Sequence, residues 1–263
     1  MNKVLVIGCG SIGQRHIRAL LSIGEKKIAV YRTGKGQSSK LDKGIEDSVV
    51  EFNNEEDAFA WNPTHIIISN PTSLHLEYLM KGINTGSNLF VEKPLTSNYS
   101  DLEDAPVSLN SIAGYDGVVG FNLRFHSLFK KIKRVISEHG YGDVIYGHLT
   151  VGHYLPFWHP YEDYRDSYAS RSDMGGGAIR TLSHEIDLAQ YLFGRIKRVF
   201  AKVEQLGSLE IDVDDVVDII LETDSCKRLS VHMDFLNPVP AREGKILFEN
   251  GLLEYNYNCG EIY

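Results

Sequence analysis

A glycine-rich turn directly after a short apolar run is the feature that most constrains the fold of this chain. The apolar residues Val4–Ile7 lead into Gly8-Cys9-Gly10-Ser11-Ile12-Gly13, and residues 14–22 are compatible with a helix. In a Gly-x-Gly-x-x-Gly turn, the first glycine permits the tight turn, the second lets the backbone approach a pyrophosphate, and the third lets the helix pack on the strand. The free N–H groups of that helix then face the phosphates. This context predicts a dinucleotide site rather than a purely structural turn, with ligand contacts from Gly8, Gly10, Ser11, Ile12 and Gly13.

Length and composition indicate a soluble globular protein of two ordinary domains. The chain has 263 residues, of which 43% are apolar and 24% charged, and no apolar run is long enough to cross a membrane. The net charge of −8 argues against a general nucleic-acid binder, because such proteins need a basic surface to replace counterions. Residues 1–3 leave no room for a signal peptide before the first strand. We therefore expect a cytoplasmic protein with neither membrane nor nucleic-acid partners.

The three cysteines do not form a pattern that predicts a disulfide framework or a zinc site. Cys9, Cys226 and Cys259 are too few and too far apart along the chain for either. We predict half-buried thiols in a reducing compartment and no bound metal.

The first part of the chain alternates strand-like and helix-like segments, which is typical of a doubly wound parallel sheet. Residues 34–40 interrupt this pattern with a flexible-looking stretch. The predicted helices are 14–22 and 73–85. The predicted strands are 4–7, 27–31, 47–52, 65–69, 88–92 and 117–121.

The pattern changes after residue 121, where long strands replace the alternation. Two helices are predicted, at 127–139 and, after a glycine run, at 175–193. Successive strands without intervening helices predict an antiparallel or mixed sheet in an α+β domain. We therefore divide the chain into domains 1–121 and 122–263. The predicted strands of the second domain are 143–154, 198–206, 213–223, 228–235, 245–249 and 252–257.

Four further motifs, in order along the chain, resemble those of the glucose–fructose oxidoreductase and inositol dehydrogenase (Gfo/Idh/MocA) family. They are Asn70-Pro71-Thr72-x-x-His75, Glu92-Lys93-Pro94, Gly120-Phe121-Asn122-x-Arg124-Phe125, and Gly175-Gly176-Gly177-Ala178 followed by His184-Glu185-Ile186-Asp187. The resemblance implies an N-terminal Rossmann domain, a C-terminal domain with an open-faced sheet, and a nicotinamide-dependent enzyme that acts on a sugar or polyol. It also implies cofactor contacts from Asn70, Pro71, His75, Glu92 and Asn122.

Lys93 and His184 are the predicted catalytic residues. Lys93 follows a strand and precedes Pro94, at the sheet edge where ligands bind in this architecture, so it can orient the substrate oxygen. His184 lies in the family's histidine-bearing helix, and the ordinary pKa of an imidazole, about 6.5, suits a general acid or base. The alternatives without a catalytic role are that Lys93 is a surface lysine in a turn and that His184 is a structural histidine.

The chain departs from the family pattern in two places. Family members continue for many tens of residues after the strand that corresponds to 245–249, so the second domain is expected to be short at its C-terminus. They also carry an acid one helical turn before the histidine, where this chain has Arg180 and Thr181. The usual partner in a proton relay is therefore in doubt.

Substrate contacts are predicted from basic, polar and aromatic side chains of the second domain. Arg180, on the predicted face of His184, would bind a phosphate or carboxylate, or else form a surface salt bridge. Asp187 would orient the imidazole, bind a hydroxyl group, or remain solvated. The aromatic segment 153–161 is a lid, a subsite or a dimer contact. The predicted substrate contacts are Arg124, Tyr154, Trp158, Arg171, Arg180, Thr181 and Asp187.

The residues after the second strand favour NADP(H) over NAD(H), although NAD remains possible. NAD-preferring Rossmann domains place an acid there for the ribose 2′-hydroxyl. This chain instead has Arg32, Thr33 and Lys35, which offer two cations and a hydroxyl to a 2′-phosphate. The alternative is a pair of solvated loop cations.

The sequence predicts an NAD(P)-dependent oxidoreductase for a sugar or polyol, including phosphorylated or nucleotide-linked sugars. Two other functions remain open: a hydrolase or epimerase that transfers and then returns a hydride, and a cofactor-binding regulator without catalysis.

In residues 216–221, apolar side chains occupy both sets of alternating positions, so both faces of this strand are expected to be covered. The chain's own helices would cover one face, and the other predicts a contact with another subunit. We expect a homodimer or a dimer of dimers, with Val217 and Ile219 near the contact.

Overall fold

The structure, a computed structural model, describes residues 2–33, 41–103, 117–159 and 162–263. The chain divides into two compact units, Met1–Gly120 and Phe121–Tyr263, here called unit 1 and unit 2. The predicted flexible stretch 34–40, which includes Lys35, lies outside the described residues. So do residues 160 and 161 of the aromatic segment.

Unit 1 contains a parallel sheet with the strand order β3-β2-β1-β4-β5-β6, which confirms the predicted Rossmann architecture. Consecutive residues of a strand point to opposite faces. Leu5 and Ile7 therefore join one apolar core with Leu79, whereas Val6 joins another with Ile17. The strands are β1 Val4–Ile7, β2 Ile28–Tyr31, β3 Val50–Phe52, β4 His65–Ile68, β5 Asn88–Val91 and β6 Gly117–Val119.

The helices of unit 1 include two that the sequence did not predict. Helix α2 begins after Asn54, whose side chain accepts a hydrogen bond from Asp57 N at 3.2 Å, and acids fill its first turn. Helix α3 ends at Gly86, which has a left-handed φ of 71°. The helices are α1 Ser11–Ser22, α2 Glu55–Ala60, α3 His75–Thr85 and α4 Tyr99–Glu103.

Unit 2 contains a mixed, mostly antiparallel sheet with the strand order β13-β12-β11-β7-β10-β9-β8, as predicted. The pair β7 and β10 is parallel, and the other neighbouring strands are antiparallel. The strands are β7 Val144–Gly152, β8 Ile196–Glu204, β9 Val216–Thr223, β10 Leu229–Asp234, β11 Ala241–Phe248, β12 Gly251–Asn256 and β13 Glu261–Ile262.

Helices cover one face of this sheet, and the predicted helix 175–193 is two helices rather than one. The helices of unit 2 are α5 Ser127–Ser137, α6 Ala178–Thr181 and α7 His184–Phe193. Gly175 and Gly177 have positive φ values of 78° and 108°, which an α-helix does not allow, so the first helix begins only at Ala178. Leu182 then ends α6. Arg180 and His184 are therefore not on one continuous helix, and the prediction that they share a helix face is wrong.

One face of the unit 2 sheet is covered by the chain's own helices, and the other is exposed at β9. Val217 and Ile219 are buried in one core with residues of α5 and α7, whereas their strand neighbours Asp218 and Ile220 are exposed. Because the chain's own helices cover the face of β9 that bears Val217 and Ile219, a subunit contact near these residues, which stays a prediction, would use their exposed neighbours on the opposite face. None of the helices in the described ranges is long and apolar enough to span a membrane.

Candidate functional site

The glycine turn of unit 1 is closely packed at its first and third glycines and open at its second. Gly8 has a φ of 87°, and a Cβ there would lie 2.6 Å from Asn70 N. A Cβ on Gly13 would lie 2.2 Å from the carbonyl oxygen of Gly8. At Gly10, by contrast, a Cβ would meet no heavy atom of the described residues within 4 Å. This is the arrangement that a bound pyrophosphate requires.

The first turn of α1 presents backbone donors on the open side of this glycine turn. The first intrahelical bond runs from Gln14 N to Gly10 O, so the N–H groups of residues 11–13 have no acceptor within the helix. Ser11 and Ile12 are exposed, and the first turn contains no acid. These donors and the positive end of the helix suit an anionic group.

The turn after β4 is held by a buried histidine. The ring of His75 is 1% exposed, its Nδ1 lies 2.8 Å from Pro94 O, and its Nε2 lies 2.9 Å from Asn70 O. Burial lowers the pKa of His75, although both carbonyl contacts oppose that shift. Because both ring nitrogens face backbone carbonyls, the ring has no nitrogen left for a cofactor. The ring of His75 therefore positions two turns, and a cofactor contact at His75, which stays a prediction, would involve atoms other than the ring nitrogens.

Asn70, beside Gly8, keeps a polar atom for a ligand. Its Oδ1 is buried and has no hydrogen-bond partner among the described residues. Pro71 follows it and begins the short 3-10 turn Thr72–Leu74. A buried polar atom of this kind is costly unless a ligand or water satisfies it.

The Lys93 turn follows β5 and is tied to α1 by a residue that the sequence analysis missed. His16 Nε2 lies 2.7 Å from Glu92 Oε1, and Lys93 N donates to Glu92 Oε2 at 3.3 Å. The peptide bond between Lys93 and Pro94 is cis. The one signal for His16 in the sequence is its position three residues after Gly13 at the start of α1. Its partner Glu92 could not be predicted, because the two residues are 76 positions apart.

Arg32, a predicted ribose-binding residue, forms an ion pair that the sequence did not predict. Arg32 Nε lies 2.7 Å from Glu51 Oε1, an acid on β3 opposite Val30. Thr33 is exposed. Nearby, burial raises the pKa of the Cys9 thiol to about 11 and Arg32 opposes the shift, so Cys9 is not a reactive thiolate.

In unit 2, the predicted substrate residues Arg124 and Asp187 bind each other. Arg124 Nε donates to Asp187 Oδ2 at 2.8 Å, and Nη2 donates to Oδ1 at 2.5 Å. This contact raises the pKa of Arg124. The Arg124 guanidinium also lies over the ring of Tyr191, at 5.7 Å. The Asp187 carboxylate therefore holds Arg124.

His184 is the first residue of α7, and its ring meets Phe121 edge-on at 5.8 Å. The next residue, Glu185, is fully buried and accepts from Arg242 Nε on β11 at 2.7 Å. The sequence analysis missed this pair because its members are 57 positions apart. The pair ties the start of α7 to β11 of the sheet. Removal of one partner would leave a buried charge without compensation, which is strongly destabilising.

The remaining predicted substrate residues have local partners in unit 2. Arg180 Nη1 donates to Gly176 O at 3.0 Å, and Thr181 is buried. Arg171 forms an exposed ion pair with Asp173. Tyr154 packs on Phe157, and Trp158 packs on Phe235. Asn122, a predicted cofactor contact, is the first residue of the 3-10 turn Asn122–Phe125.

Together, the parallel sheet and the open glycine turn define a Rossmann-type dinucleotide-binding protein with a second, sheet-bearing unit. A family model described as "Oxidoreductase family, NAD-binding Rossmann fold" matches residues 2–110. A second, described as "GFO/IDH/MocA C-terminal domain", matches residues 129–254. The chain belongs to the Gfo/Idh/MocA family of oxidoreductases.

Known proteins of this family resemble the chain at low sequence identity. The scyllo-inositol 2-dehydrogenase (NADP(+)) of Bacillus subtilis is 28% identical over 206 residues, which are 76% of this chain and 54% of that protein. The 2,7-anhydro-N-acetylneuraminate hydratase of Mediterraneibacter gnavus is 24% identical over 224 residues, which are 82% of this chain and 57% of that protein. The chain thus spans just over half the length of these relatives.

Among solved structures, a levoglucosan dehydrogenase in complex with NADH and L-sorbose superimposes with a TM-score of 0.84. Its sequence identity is 17%, and the match covers 100% of this chain and 75% of that one. At this identity, the superposition supports the fold alone.

Proposed function

We propose that this chain carries the cofactor and hydride-transfer machinery of an NAD(P)-dependent oxidoreductase that acts on a CH–OH group of a sugar or polyol. The observation that carries the proposal is the glycine turn, open at Gly10 and closed at Gly8 and Gly13. Family membership supports the same reading. The substrate class includes sugar phosphates and nucleotide sugars.

The residues of unit 1 fit a dinucleotide. The N–H groups of Ser11, Ile12 and Gly13 would bind the pyrophosphate, and Asn70 Oδ1 would accept a hydrogen bond from the cofactor. Pro71, Glu92 and Asn122 remain proposed cofactor-binding positions, while Arg32 and Thr33 would bind the adenosine ribose. When bound, the nicotinamide supplies the hydride acceptor or donor.

Two side chains carry the proton chemistry in this proposal. The Lys93 ammonium donates a hydrogen bond to the reacting substrate oxygen and stabilises its negative charge. His184 removes the hydroxyl proton during oxidation and returns it during reduction. The proposed substrate contacts in unit 2 are Arg124, Tyr154, Trp158, Arg171, Arg180, Thr181 and Asp187.

A panel of carbohydrates tests this function. The full chain is incubated with NADP⁺ or NAD⁺ and with polyols, free sugars, sugar phosphates and nucleotide sugars, and the absorbance of reduced cofactor is followed. We expect reduction with at least one class. No reduction with any class, together with no cofactor binding, would reject the proposal.

A second candidate function is a reaction in which the hydride is transferred and then returned. The observation that favours it is the similarity to a protein named as a hydratase. A chemically changed substrate without net cofactor reduction would identify this function. Cofactor binding without any chemical change would instead identify a regulator.

We propose NADP(H) as the preferred cofactor, with Arg32 as the determinant. Arg32→Ala should weaken NADPH binding by about 10–100-fold and leave NADH binding nearly unchanged, because an ionic hydrogen bond contributes about 1.5–3 kcal/mol. Glu51→Gln should tighten NADPH binding, since it removes the negative charge beside the guanidinium. Calorimetric titration at low salt measures both affinities. Equal or tighter binding of NADH by the unmodified chain would contradict the preference.

We also propose a cytoplasmic homodimer, or a dimer of dimers, formed through the outer face of the unit 2 sheet. The three cysteines are free thiols, as suits a reducing compartment. Phe200 and Ile220 are paired across β8 and β9 and are both exposed on that face. Beside them, Lys202, Asp218 and His232 form a row of alternating charge. The imidazolium of His232 is stabilised by Asp234 and Asp218, which raises its pKa to about 9. A face with exposed apolar groups and both signs of charge suits a second copy of itself.

Glutamate substitutions on this face test the dimer. Phe200→Glu combined with Ile220→Glu should convert the assembly to single chains, because the interface would bury unpaired charges. Ile23→Glu, at an exposed apolar residue of unit 1, is the control. Light scattering at micromolar concentration should give about two or four times the 29.6 kDa chain mass for the unmodified protein and the control. A single-chain mass for the unmodified protein would reject the dimer.

A further inference from the structure

We infer that His16 is a positioning residue for Lys93 and that it acts through the Glu92 carboxylate; this inference rests on the proposed function. His16 lies on α1, which follows the glycine turn, and Glu92 directly follows β5. The contact of 2.7 Å between His16 Nε2 and Glu92 Oε1 joins two segments 76 positions apart. His16 lies outside the motifs that predict the site.

The surroundings of Glu92 restrict its carboxylate to one arrangement. One oxygen faces His16, and the other accepts from Lys93 N at 3.3 Å. A Cβ on Gly120 would lie 3.1 Å from Glu92 Oε2, so a glycine there leaves room for the carboxylate. The His16 ring also meets Phe90 edge-on at 5.0 Å, on the strand that leads to Glu92. His16 thus fixes the carboxylate that binds the Lys93 backbone.

A second histidine holds the other side of the same turn. His75 on α3 contacts Pro94 O at 2.8 Å, so the residues before and after Lys93 are each tied to a helix. The two helices follow β1 and β4, whose ends also form the proposed cofactor site. The glycine turn that would bind the cofactor and the backbone of Lys93 are therefore both held by α1. Catalysis requires this, since a misplacement of about 1 Å can cost about 100-fold in rate.

Substitutions of His16 test the inference. His16→Ala should lower kcat by about 10–100-fold because Lys93 loses its orientation, and it should change the KM of the cofactor much less, because the glycine turn is intact although Glu92 becomes freer to move. His16→Gln, whose amide can donate to the same carboxylate oxygen, should restore most of kcat. The control is His65→Gln at the opposite end of the same sheet, where His65 contacts Thr64 and Asn88. The control should keep the unmodified kcat.

A second readout needs no substrate. The lysines are reductively methylated with ¹³C, and the Lys93 resonance is assigned by its loss in Lys93→Arg. His16→Ala should shift this resonance, whereas His16→Gln and His65→Gln should leave it in place. If the unmodified chain is active but His16→Ala matches the control in kcat and in resonance position, the inference fails alone. If the chain transfers no hydride to any carbohydrate, the proposed function fails, and the resonance still decides whether His16 positions Lys93.

Discussion

Replacement of Lys93 by alanine should lower kcat by about 10²–10⁴-fold and leave the affinity for NADPH nearly unchanged. The range is that of a side chain that positions or transfers a proton in the transition state. His184→Ala should have a similar effect for the same reason. The double variant should be little worse than either single variant, because residues that act as a unit fail as a unit.

Steady-state kinetics and NADPH titration on the same preparations measure these effects. Lys26→Ala, at an exposed lysine just before β2, is the matched control and should retain the unmodified kcat. A His184→Ala variant with most of its activity would assign the proton to another group, with Tyr154 or Asp187 as the next candidates. A Lys93→Ala variant with most of its activity would contradict the proposed mechanism.

Alanine substitutions in the glycine turn should separate packing from cofactor binding. Gly13→Ala should lower the free energy of unfolding by about 1–3 kcal/mol, because its Cβ would overlap the Gly8 carbonyl, a backbone group that cannot rotate away. Gly10→Ala should leave stability nearly unchanged, since its φ of −69° is ordinary and its surroundings are open. It should nevertheless abolish tight NADPH binding, because the methyl group would occupy the path of the pyrophosphate.

Denaturant unfolding and NADPH titration of both variants distinguish these effects. Unchanged NADPH affinity in Gly10→Ala would show that the pyrophosphate does not approach the chain at this point. Unchanged stability in Gly13→Ala would show that α1 has room to move away from the turn.

Local patterns were sufficient to predict the parallel sheet and the two longer helices of unit 1. The apolar runs at residues 4–7 and 65–68 are typical of strands buried on both faces, and the structure has them in two different cores. The glycine turn likewise follows from local chemistry. The short helices α2 and α4 were missed because six or fewer residues carry too little periodicity.

Unit 2 was harder to predict, because long-range contacts decide its details. The helix that contains Arg180 begins directly after Gly177 and ends at Leu182. Its start depends on a long-range contact, because a Cβ on Gly177 would lie 2.4 Å from Asp214 Oδ1. Strand β11 begins at Ala241 rather than at residue 245, because residues 241–244 pair with the end of β7. Both phases of β9 are apolar in part, so the sequence could not tell which phase the helices cover.

The polar contacts of the candidate site were mostly beyond sequence reasoning. The pairs His16–Glu92 and Arg124–Asp187 join residues 76 and 63 positions apart. The Arg32–Glu51 pair depends on the register of β2 and β3. Residue type together with the resemblance to the family identified Lys93 and His184 as catalytic candidates, whereas only the folded chain shows what holds the turn around Lys93.

Direct transfer of a labelled hydride is the most decisive test of the proposed function. The full chain is incubated with NADPH that carries deuterium at both C4 positions and with the ketone or aldehyde forms of the carbohydrate panel, and products are analysed by mass spectrometry. We predict an alcohol product with one carbon-bound deuterium, formed by the unmodified chain and the Lys26→Ala control but strongly reduced in Lys93→Ala. Cofactor that binds but keeps its deuterium with every carbohydrate would contradict the assignment of this chain as an oxidoreductase.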